Sequence, residues 1–289
     1  MNKIIEINNL VKEYKDFTLG ELSFSLEKGT ILGIIGPNGS GKTTLIKTIM
    51  GMVIKKSGEI TVFGQDADNY GVEIRDRIGF INFDDKIKEM MSPKSLGNTY
   101  GRFYSEWDSQ KYQAYLDRFE INWSKRINKL SQGAQMKVFL AFALSHNAEL
   151  LIFDEPTAGL DPIFREEILD IFLEEIEDSN KSIIISTHIT SDLDKCADYL
   201  LVMNEGKKVL YGSKDEILDS HKLVKGDSAI LSAENRNLFI GIKNNKFGFE
   251  GLTKRTTEVA KIMGKNYLTE KPRIEDIMFF YCQKQVKHV

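Results

Sequence analysis

The strongest constraint on this chain's fold is a glycine-rich loop that directly follows an apolar run. Residues 36–44 read GPNGSGKTT, and residues 31–35 before them read ILGII. A passage from a buried strand through such a loop into a helix turns successive backbone N–H groups towards an anion and adds the positive end of the helix dipole. The sequence therefore predicts a phosphate cradle for a nucleotide, built by Gly36, Pro37, Asn38, Gly39, Ser40, Gly41, Lys42, Thr43 and Thr44.

Two side chains of this loop have predicted roles in binding the phosphates. Lys42 can reach the β- and γ-phosphates, and the hydroxyl of Thr43 can ligate Mg²⁺. The alternative is a glycine-rich surface turn with a chance lysine. The spacing, the preceding strand and the helical segment at residues 44–50 all disfavour that alternative.

Bulk properties bound the class of protein. A chain of 289 residues predicts one large nucleotide-binding domain with a smaller attachment. A net charge of −3 gives no general basic field, so nucleic acid is not the expected partner. Cys196 and Cys282 lie far apart and fit neither a metal site nor a disulfide framework, as is usual in a reducing cytosol. No apolar run approaches the roughly 18–20 residues that span a bilayer, which predicts that any membrane role is peripheral.

The pattern of apolar residues predicts an α/β core. Short or alternating runs indicate an antiparallel layer, at residues 4–7, 17–19 and 22–26. Near-continuous apolar runs are typical of parallel strands covered on both faces, and they stand at residues 150–153, 182–186 and 199–203. A last strand is predicted at residues 207–211, after an Asn-Glu-Gly turn.

Two further regions differ from this core. An aromatic-rich helical segment at residues 92–120 and an amphipathic helix at 136–144 predict an inserted helical subdomain, about residues 86–147. Its aromatic side chains fit either the core of the insert or anchors of an interface. Beyond residue 212 the sequence predicts a small accessory domain, with strands at residues 229–231 and 239–242, a helix at 256–264 and a final segment at 272–282.

Two adjacent carboxylates end the predicted strand at residues 150–153. Asp154 can help to hold Mg²⁺, and Glu155 can face the position of an attacking water. A cation would also relieve the repulsion between the two carboxylates. The alternative is that Glu155 caps the turn before Pro156.

A histidine ends the next predicted strand, 33 residues beyond Glu155 (188 − 155 = 33). His188 can donate a hydrogen bond to a γ-phosphate and orient the attacking water. A lone histidine is usually structural, but the carboxyl end of a parallel strand beside a phosphate site favours the functional interpretation.

A second anion-binding element stands at residues 130–135, which read LSQGAQ, just before the amphipathic helix. One nucleotide would not need both this loop and the glycine loop from the same chain. Here the sequence resembles the ATP-binding cassette family, in which the phosphate loop of one subunit and the signature loop of another enclose ATP in a head-to-tail dimer. The resemblance covers residues 1 to about 212.

The resemblance implies a fold and a set of ligands. The fold is α/β, with a P-loop NTPase core of mostly parallel sheet, an antiparallel β-subdomain, an inserted α-helical subdomain and a small C-terminal α+β accessory domain. The cassette would span residues 1–212 and the accessory domain residues 213–289. The implied cofactors are ATP and Mg²⁺. The implied partners are a separate transmembrane permease and a second cassette, identical or different.

The resemblance also implies roles for single residues. Glu155 is the catalytic base, and Lys42 and His188 assist it; Thr43 and Asp154 belong to the metal site. Other residues contact the nucleotide or close the dimer: Tyr14 stacking on adenine, Ser131, Gln132, Gly133 and Ala134 as the signature, and Asp161 in the inter-subunit loop. Without the resemblance, Tyr14 is as often a packing residue as a platform for a base.

Two departures from the family pattern stand out. The glutamine that normally follows the strand at residues 78–81 is absent, and Phe83 occupies its position in the simplest alignment. Asp84 can replace it through a water on Mg²⁺, or it can be a more distant acid or part of a solvated acidic loop. In the signature, Gln132 and Ala134 stand where the family often has glycine and glutamine.

The expected role is therefore the ATPase subunit of a transporter, at the cytoplasmic face of the cell membrane and touching it only through the permease. The segments YSEWD and IEDIMFFY resemble ATPases of type-2 exporters, including bacterial peptide or antibiotic exporters. The permease is expected to dock between residues 82–91 and the aromatic insert. The alternatives are a soluble cassette ATPase acting on DNA or the ribosome, and a regulatory module that senses ATP without hydrolysing it.

Overall fold

The structure is a computed structural model, and it describes residues 3–81, 90–177, 181–232, 235–264 and 267–283. Asn82, Phe83, Asp84 and Asp85 lie outside the described residues. Within these ranges the strands are β1 (Lys3–Glu13), β2 (Thr18–Glu27), β3 (Ile31–Ile35), β4 (Ser57–Val62), β5 (Gln65–Asp66), β6 (Ile78–Ile81), β7 (Leu150–Asp154), β8 (Ser182–Thr187), β9 (Tyr199–Asn204), β10 (Lys207–Ser213), β11 (Lys222–Gly226), β12 (Gly241–Asn245), β13 (Gly248–Thr253) and β14 (Tyr267–Glu270).

The α-helices include three in succession between β6 and β7. In the same ranges they are α1 (Lys42–Ile49), α2 (Gly71–Asp76), α3 (Pro93–Tyr100), α4 (Ser109–Arg118), α5 (Gln132–Ala143), α6 (Pro162–Glu177), α7 (Thr190–Cys196), α8 (Lys214–Ser220), α9 (Thr256–Met263) and α10 (Ile274–Cys282). Short 3₁₀ turns lie at Gly101–Phe103, Ile127–Lys129, Ser228–Ile230 and Arg236–Leu238. Among the described residues, no helix has both the length and the apolar character needed to cross a bilayer.

The central sheet has six strands in the order β10-β9-β3-β8-β7-β6. Its strands run parallel except for β10, which pairs antiparallel with β9 at one edge. All residues of β3 and β8 are buried, as their continuous apolar runs predict. Ile35 pairs with Thr187, and Asp154 pairs with Ser186, so β3, β8 and β7 end side by side. The predicted α/β core is confirmed.

A second sheet, β2-β1-β4-β5, is antiparallel and contains the predicted N-terminal layer. Leu10 and Leu22 from this sheet share one apolar cluster with Leu45 of α1 and Ile184 of β8. This cluster holds α1 against the central sheet. The apolar face of α1, the helix that follows the glycine loop, is therefore anchored by packing against both sheets.

The insert is helical, and its aromatic residues pack largely on one another. Trp107 lies 4.9 Å from Phe142 and 5.2 Å from Tyr112 between ring centroids. These contacts support the view that such side chains form the insert's own core, although Phe103 and Trp123 remain exposed. The helix predicted at residues 136–144 begins earlier, at Gln132, because the Ser131 hydroxyl accepts a hydrogen bond from the Ala134 N–H at 3.3 Å.

The C-terminal region forms a third sheet, β12-β13-β11-β14, and two helices. The helix predicted at residues 256–264 is present as α9. The strand predicted at residues 229–231 is wrong, because the Asp227 carboxylate accepts from the Ala229 N–H at 2.9 Å and caps a 3₁₀ turn instead. The strand predicted at residues 239–242 begins only at Gly241, since Phe239 still closes the preceding turn on Arg236.

The final helix, α10, joins this region to the cassette. Ile277 and Phe280 lie in the same apolar cluster as residues of α5, α6 and β8. At its end, the Cys282 thiol donates to the Met203 carbonyl at 3.7 Å, and the Asn204 amide donates to the Cys282 carbonyl at 3.4 Å. The division at residue 212 stays a prediction.

Candidate nucleotide and hydrolysis site

The glycine loop takes its shape from positions at which a side chain would not fit. A Cβ at Gly36 would lie 2.1 Å from the Met203 carbonyl oxygen, so this position needs close backbone approach. Gly39 and Gly41 have φ angles of 79° and 105°, which are left-handed. Gly41 is the N-cap of α1, and the loop therefore delivers its N–H groups to the start of that helix.

An open cavity of about 500 Å³ lies beside this loop. Its lining brings the phosphate-loop residues together with the predicted catalytic base and switch histidine. The residues that line it are Phe17, Asn38, Gly39, Ser40, Gly41, Lys42, Thr43, Thr44, Glu155 and His188. The carboxyl ends of three adjacent strands thus meet at one cavity, as the sequence predicts for such a sheet.

Lys42 supplies a buried positive charge to this cavity. The residue is 6% exposed, and its Nζ donates to the Gly36 carbonyl at 2.9 Å. The same Nζ lies 3.5 Å from Oε1 of Glu155. The Ser40 hydroxyl is also buried and has no hydrogen-bond partner within the described part of the chain. A buried orphan hydroxyl beside a cation suits an anionic phosphate oxygen.

The carboxylate of Glu155 lies between two other functional groups. Its Oε2 is 2.7 Å from Nδ1 of His188 and accepts from the His188 backbone N–H at 3.3 Å. The predicted turn after Glu155 does form, but its backbone carbonyl closes it, accepting from the Ala158 N–H at 3.2 Å. The side chain is therefore not a cap. A φ of 53° turns the Glu155 backbone away from the strand and towards this site.

Asp154 ends β7 next to this group, and the Ser186 hydroxyl donates a hydrogen bond to its Oδ1. Together with the Thr43 hydroxyl, it offers the hard oxygen donors that Mg²⁺ prefers. Within the described residues, no three His, Cys, Asp or Glu side chains cluster as a metal site. Mg²⁺ is usually held by one or two protein oxygens, with phosphate and water oxygens completing its shell, so these two donors fit Mg²⁺ brought in with a nucleotide. The predicted contribution of Asp84 lies outside the described residues.

The signature residues do not line this cavity. Ser131 caps α5, and the Gln132 side-chain amide donates to the Ala158 carbonyl at 3.4 Å. A Cβ placed on Gly133 would meet only side-chain atoms of Leu160 and Phe164, both at an ordinary contact distance of 3.8 Å. Asp161 lies close in sequence to these contacts, and its Oδ1 accepts from the Phe164 N–H at 3.0 Å. The signature and the Asp161 loop therefore adjoin each other, apart from the phosphate loop's cavity.

The aromatic residue that lines the cavity is Phe17 and not Tyr14. The Tyr14 side chain is 46% exposed, with Nζ of Lys12 4.7 Å from its ring centroid. The two residues belong to one turn, in which the Tyr14 N–H donates to the Phe17 carbonyl at 2.8 Å. Sequence reasoning missed Phe17 because it was assigned only to a strand. Its position three residues after Tyr14 was the available signal.

Comparison with known proteins relates this chain to ATP-binding proteins of ABC transporters. A family model described as "ABC transporter" matches residues 19–158, and one described as "AAA domain, putative AbiEii toxin, Type IV TA system" matches residues 126–193. The chain is 33% identical to Nod factor export ATP-binding protein I of Sinorhizobium fredii, over 74% of this chain and 64% of that protein. It is 32% identical to the zinc uptake system ATP-binding protein ZurA of Listeria innocua, over 82% of this chain and 95% of that protein.

Solved structures show the same fold. The structure of cbiO1 from Clostridium perfringens, described as part of the ABC transporter complex cbiONQ, superposes with a TM-score of 0.64 at 27% identity. That match covers 76% of this chain and 92% of the other.

The fold and the strand-end site define a P-loop ATPase with helices inserted between β6 and β7. The chain belongs to the ABC transporter ATP-binding cassette family. It binds ATP, is an ATPase, and is the ATP-binding subunit of an ABC transporter.

Proposed function

We propose that this subunit hydrolyses ATP at the interface of a head-to-tail cassette dimer and drives export through a separate permease. One observation carries the first half of this proposal. Lys42, Glu155 and His188 share one cavity with the phosphate loop, whereas the signature and Asp161 lie outside its lining. A nucleotide in this cavity would leave its outer face open, and the signature of a second cassette has the chemistry to cover it.

Each residue has a part in the reaction. The loop N–H groups, the Ser40 hydroxyl and Lys42 bind the phosphates of ATP, and Thr43 and Asp154 hold Mg²⁺, which when bound neutralises developing charge on the phosphate oxygens. Glu155 accepts a proton from the attacking water. His188, 2.7 Å from Glu155, holds that carboxylate in place and can donate to the γ-phosphate.

Lys42 also has a role before ATP arrives. Its contact with Glu155 at 3.5 Å pairs two charges that would otherwise face the cavity alone. A γ-phosphate that takes over Lys42 would release the Glu155 carboxylate to a water molecule. Binding of the nucleotide would thereby prepare the base.

Export is supported more weakly than hydrolysis. The relatives include a Nod factor export protein and a zinc uptake protein, so similarity alone leaves the direction open. Export is favoured by the resemblance of the YSEWD and IEDIMFFY segments to ATPases of type-2 exporters. A peptide or an antibiotic is the proposed cargo class. The subunit would lie at the cytoplasmic face of the membrane, held there by its permease.

The variant Glu155→Gln tests the hydrolytic half. Loss of a general base lowers turnover by about 10²–10⁴-fold, while the amide keeps the size of the side chain. We expect ATP to remain bound and E155Q to dimerise on ATP in size-exclusion chromatography. Glu275→Gln, an exposed carboxylate on α10, makes the same charge change and should leave phosphate release unchanged. Normal turnover by E155Q would remove the base assignment.

The transport half needs its own test. The permease that co-purifies with this chain would be reconstituted in vesicles with the cassette on the outside. ATP-dependent accumulation of a labelled peptide inside these vesicles, lost with E155Q, is the expected result for export. Release of preloaded cargo from the same vesicles would instead indicate uptake and leave the hydrolytic assignment intact.

A further inference from the structure

A buried charged cluster lies behind the hydrolysis site and takes no part in the roles above. Its centre is Asp192 on α7, which is 1% exposed. The Thr157 hydroxyl donates to its Oδ2 at 2.6 Å, and Nε of Arg165 donates to its Oδ1. Arg165 also donates through Nη2 to the Ser191 hydroxyl at 2.6 Å. Both carboxylate oxygens of Asp192 are therefore occupied by side chains from another part of the chain.

The partners of Asp192 flank the two loops on which the proposed chemistry depends. Thr157 stands two residues after Glu155, in the turn that the Glu155 carbonyl closes. Arg165 lies in the first turn of α6, where its backbone N–H donates to the Asp161 carbonyl at 3.0 Å. Asp192 itself follows His188 by four residues, and its N–H donates to the Ile189 carbonyl at 3.2 Å.

We propose that Asp192 is a positioning residue that fixes the Glu155 turn, the Asp161 loop and the His188 loop relative to one another. It touches no reacting atom. It acts through Thr157 on the turn that carries Glu155 and through Arg165 on the helix that begins after Asp161. This inference rests on the proposed roles of Glu155 and His188.

Because Asp192 is buried, its hydrogen bonds hold Thr157 and Arg165 in defined positions. A carboxylate removed from water is strongly destabilising unless charged donors and hydroxyl groups satisfy it, and a satisfied one holds its partners in a narrow geometry. A misplacement of about 1 Å at a reacting centre can lower a rate by on the order of 100-fold. The phosphate loop is held separately, by β3 and α1, so ground-state binding of ATP does not depend on this cluster.

The chain offers a matched control that joins the same two helices. Lys195 of α7 and Glu166 of α6 form an ion pair, and both side chains are about half exposed. This pair links α6 to α7 at the surface without reaching Thr157. If contacts between α6 and α7 had only a structural role, breaking the Arg165–Asp192 pair and breaking the Lys195–Glu166 pair would have similar effects on kcat.

The first experiment compares Thr157→Val with Thr157→Ser in the full chain. Valine keeps the shape but loses the donor to Asp192, whereas serine keeps it. We expect T157V to lower kcat about 10-fold with an unchanged KM for ATP, and to lower the melting temperature by a few degrees because the buried carboxylate loses one donor. T157S should restore most of the lost kcat. Equal kcat in T157V, T157S and the wild type would overturn the proposal.

The second experiment adds Asp192→Asn and the control Glu166→Gln. D192N should lower kcat further than T157V, by about 100-fold, again without weakening binding of a fluorescent ATP analogue. E166Q should match the wild type. The proposal fails if D192N and E166Q lower kcat equally, or if D192N acts only through KM. E155Q measured alongside separates the two ideas: an active E155Q contradicts the proposed function, whereas an inactive E155Q with a fully active T157V contradicts only the positioning role.

Discussion

The central sheet and the C-terminal sheet place their charged residues in different ways. Every residue of β3 and β8 is buried, and polar functional side chains stand at the carboxyl ends of β7 and β8, at Asp154, Glu155 and His188. In the C-terminal sheet, β14 is half-buried or exposed throughout, and its charges pair at the surface, as between Lys225 and Glu270. A strand fixed on both faces can hold a few polar side chains at its tip with little freedom, and a half-exposed strand cannot.

The two regions meet along one seam formed by α10. Ile277 and Phe280 are buried in the main apolar cluster, and burial raises the pKa of Cys282 at the end of the helix to about 11. The Cys282 thiol donates to the Met203 carbonyl, the same carbonyl that leaves no space for a side chain at Gly36. The seam therefore ends on the backbone that supports the phosphate loop.

Phe280→Ala tests how far the stability of the two regions depends on that seam. The side chain is 4% exposed, and removing a buried phenylalanine usually costs about 3–5 kcal/mol. We expect a loss of this size in the free energy of unfolding, measured by urea denaturation. Because the phosphate loop is anchored mainly by β3 and α1, the dissociation constant of ATP should change little.

The neighbouring residue is the control. Phe279 lies on the same helix and is 38% exposed, so Phe279→Ala should cost only about 1 kcal/mol. A large loss of ATP affinity in F280A but not in F279A would contradict the separation between the two regions. It would point to the Met203 carbonyl as the route by which α10 acts on the loop.

The same contrast explains which elements could be predicted from sequence. Strands β7, β8 and β9 were predictable because their burial on both faces leaves a continuous apolar run. In the C-terminal region, residues 229–231 are apolar too, but a single hydrogen bond to Asp227 makes them a turn. Local side-chain capping of this kind competes with strand formation and leaves little trace in hydrophobic periodicity.

At the site, residue types were predictable and orientations were not. The motifs identified Lys42, Glu155 and His188, and the structure brings all three to one cavity. Nothing in the sequence indicates that Glu155 has a left-handed backbone, which follows from its hydrogen bonds to the end of β8. Phe17 was missed for a similar reason, since only tertiary packing brings its ring against Gly41.

Phe17 gives the next test, on the cassette side of the comparison. An aromatic side chain lining a nucleotide cavity can contact the base or the ribose, and such stacking contributes about 1–3 kcal/mol. We expect Phe17→Ala to weaken ATP binding by about 5- to 10-fold at the low end of that range. Inorganic tripolyphosphate, which has no base, should bind equally well to the wild type and to F17A.

Tyr14→Ala is the companion variant, and it tests the adenine-stacking role that the family resemblance assigns to Tyr14. Because its ring is half exposed and covered on one side by Lys12, we expect a smaller loss than in F17A. A selective loss of ATP affinity in Y14A with none in F17A would contradict this order and leave the stacking role to Tyr14. Weakened tripolyphosphate binding in F17A would instead indicate a displaced phosphate loop.

The smallest expected effect lies on the C-terminal side, at His221. This residue is fully buried, its Nδ1 donates to the Ile217 carbonyl at 2.6 Å, and its Nε2 accepts from the Tyr281 hydroxyl at 2.9 Å. Burial lowers the pKa of His221, so the unfolded chain takes up a proton more readily than the folded one. The contribution is present above the ordinary pKa of about 6.5 and is lost as the pH falls below it, by at most about 1.4 kcal/mol per pH unit.

His221→Gln removes this titration while keeping one donor and one acceptor for the same partners. Unfolding free energies would be measured at pH 7.5 and pH 5.5 for the wild type and for H221Q. His146 is also buried with a lowered pKa, so both proteins should lose stability on acidification, and the difference between them reports His221. A smaller loss in H221Q is the expected result, because glutamine carries no proton whose uptake the buried position disfavours. Equal losses would contradict a lowered pKa of His221 in the folded protein and would assign the shared loss on acidification to other groups, such as His146.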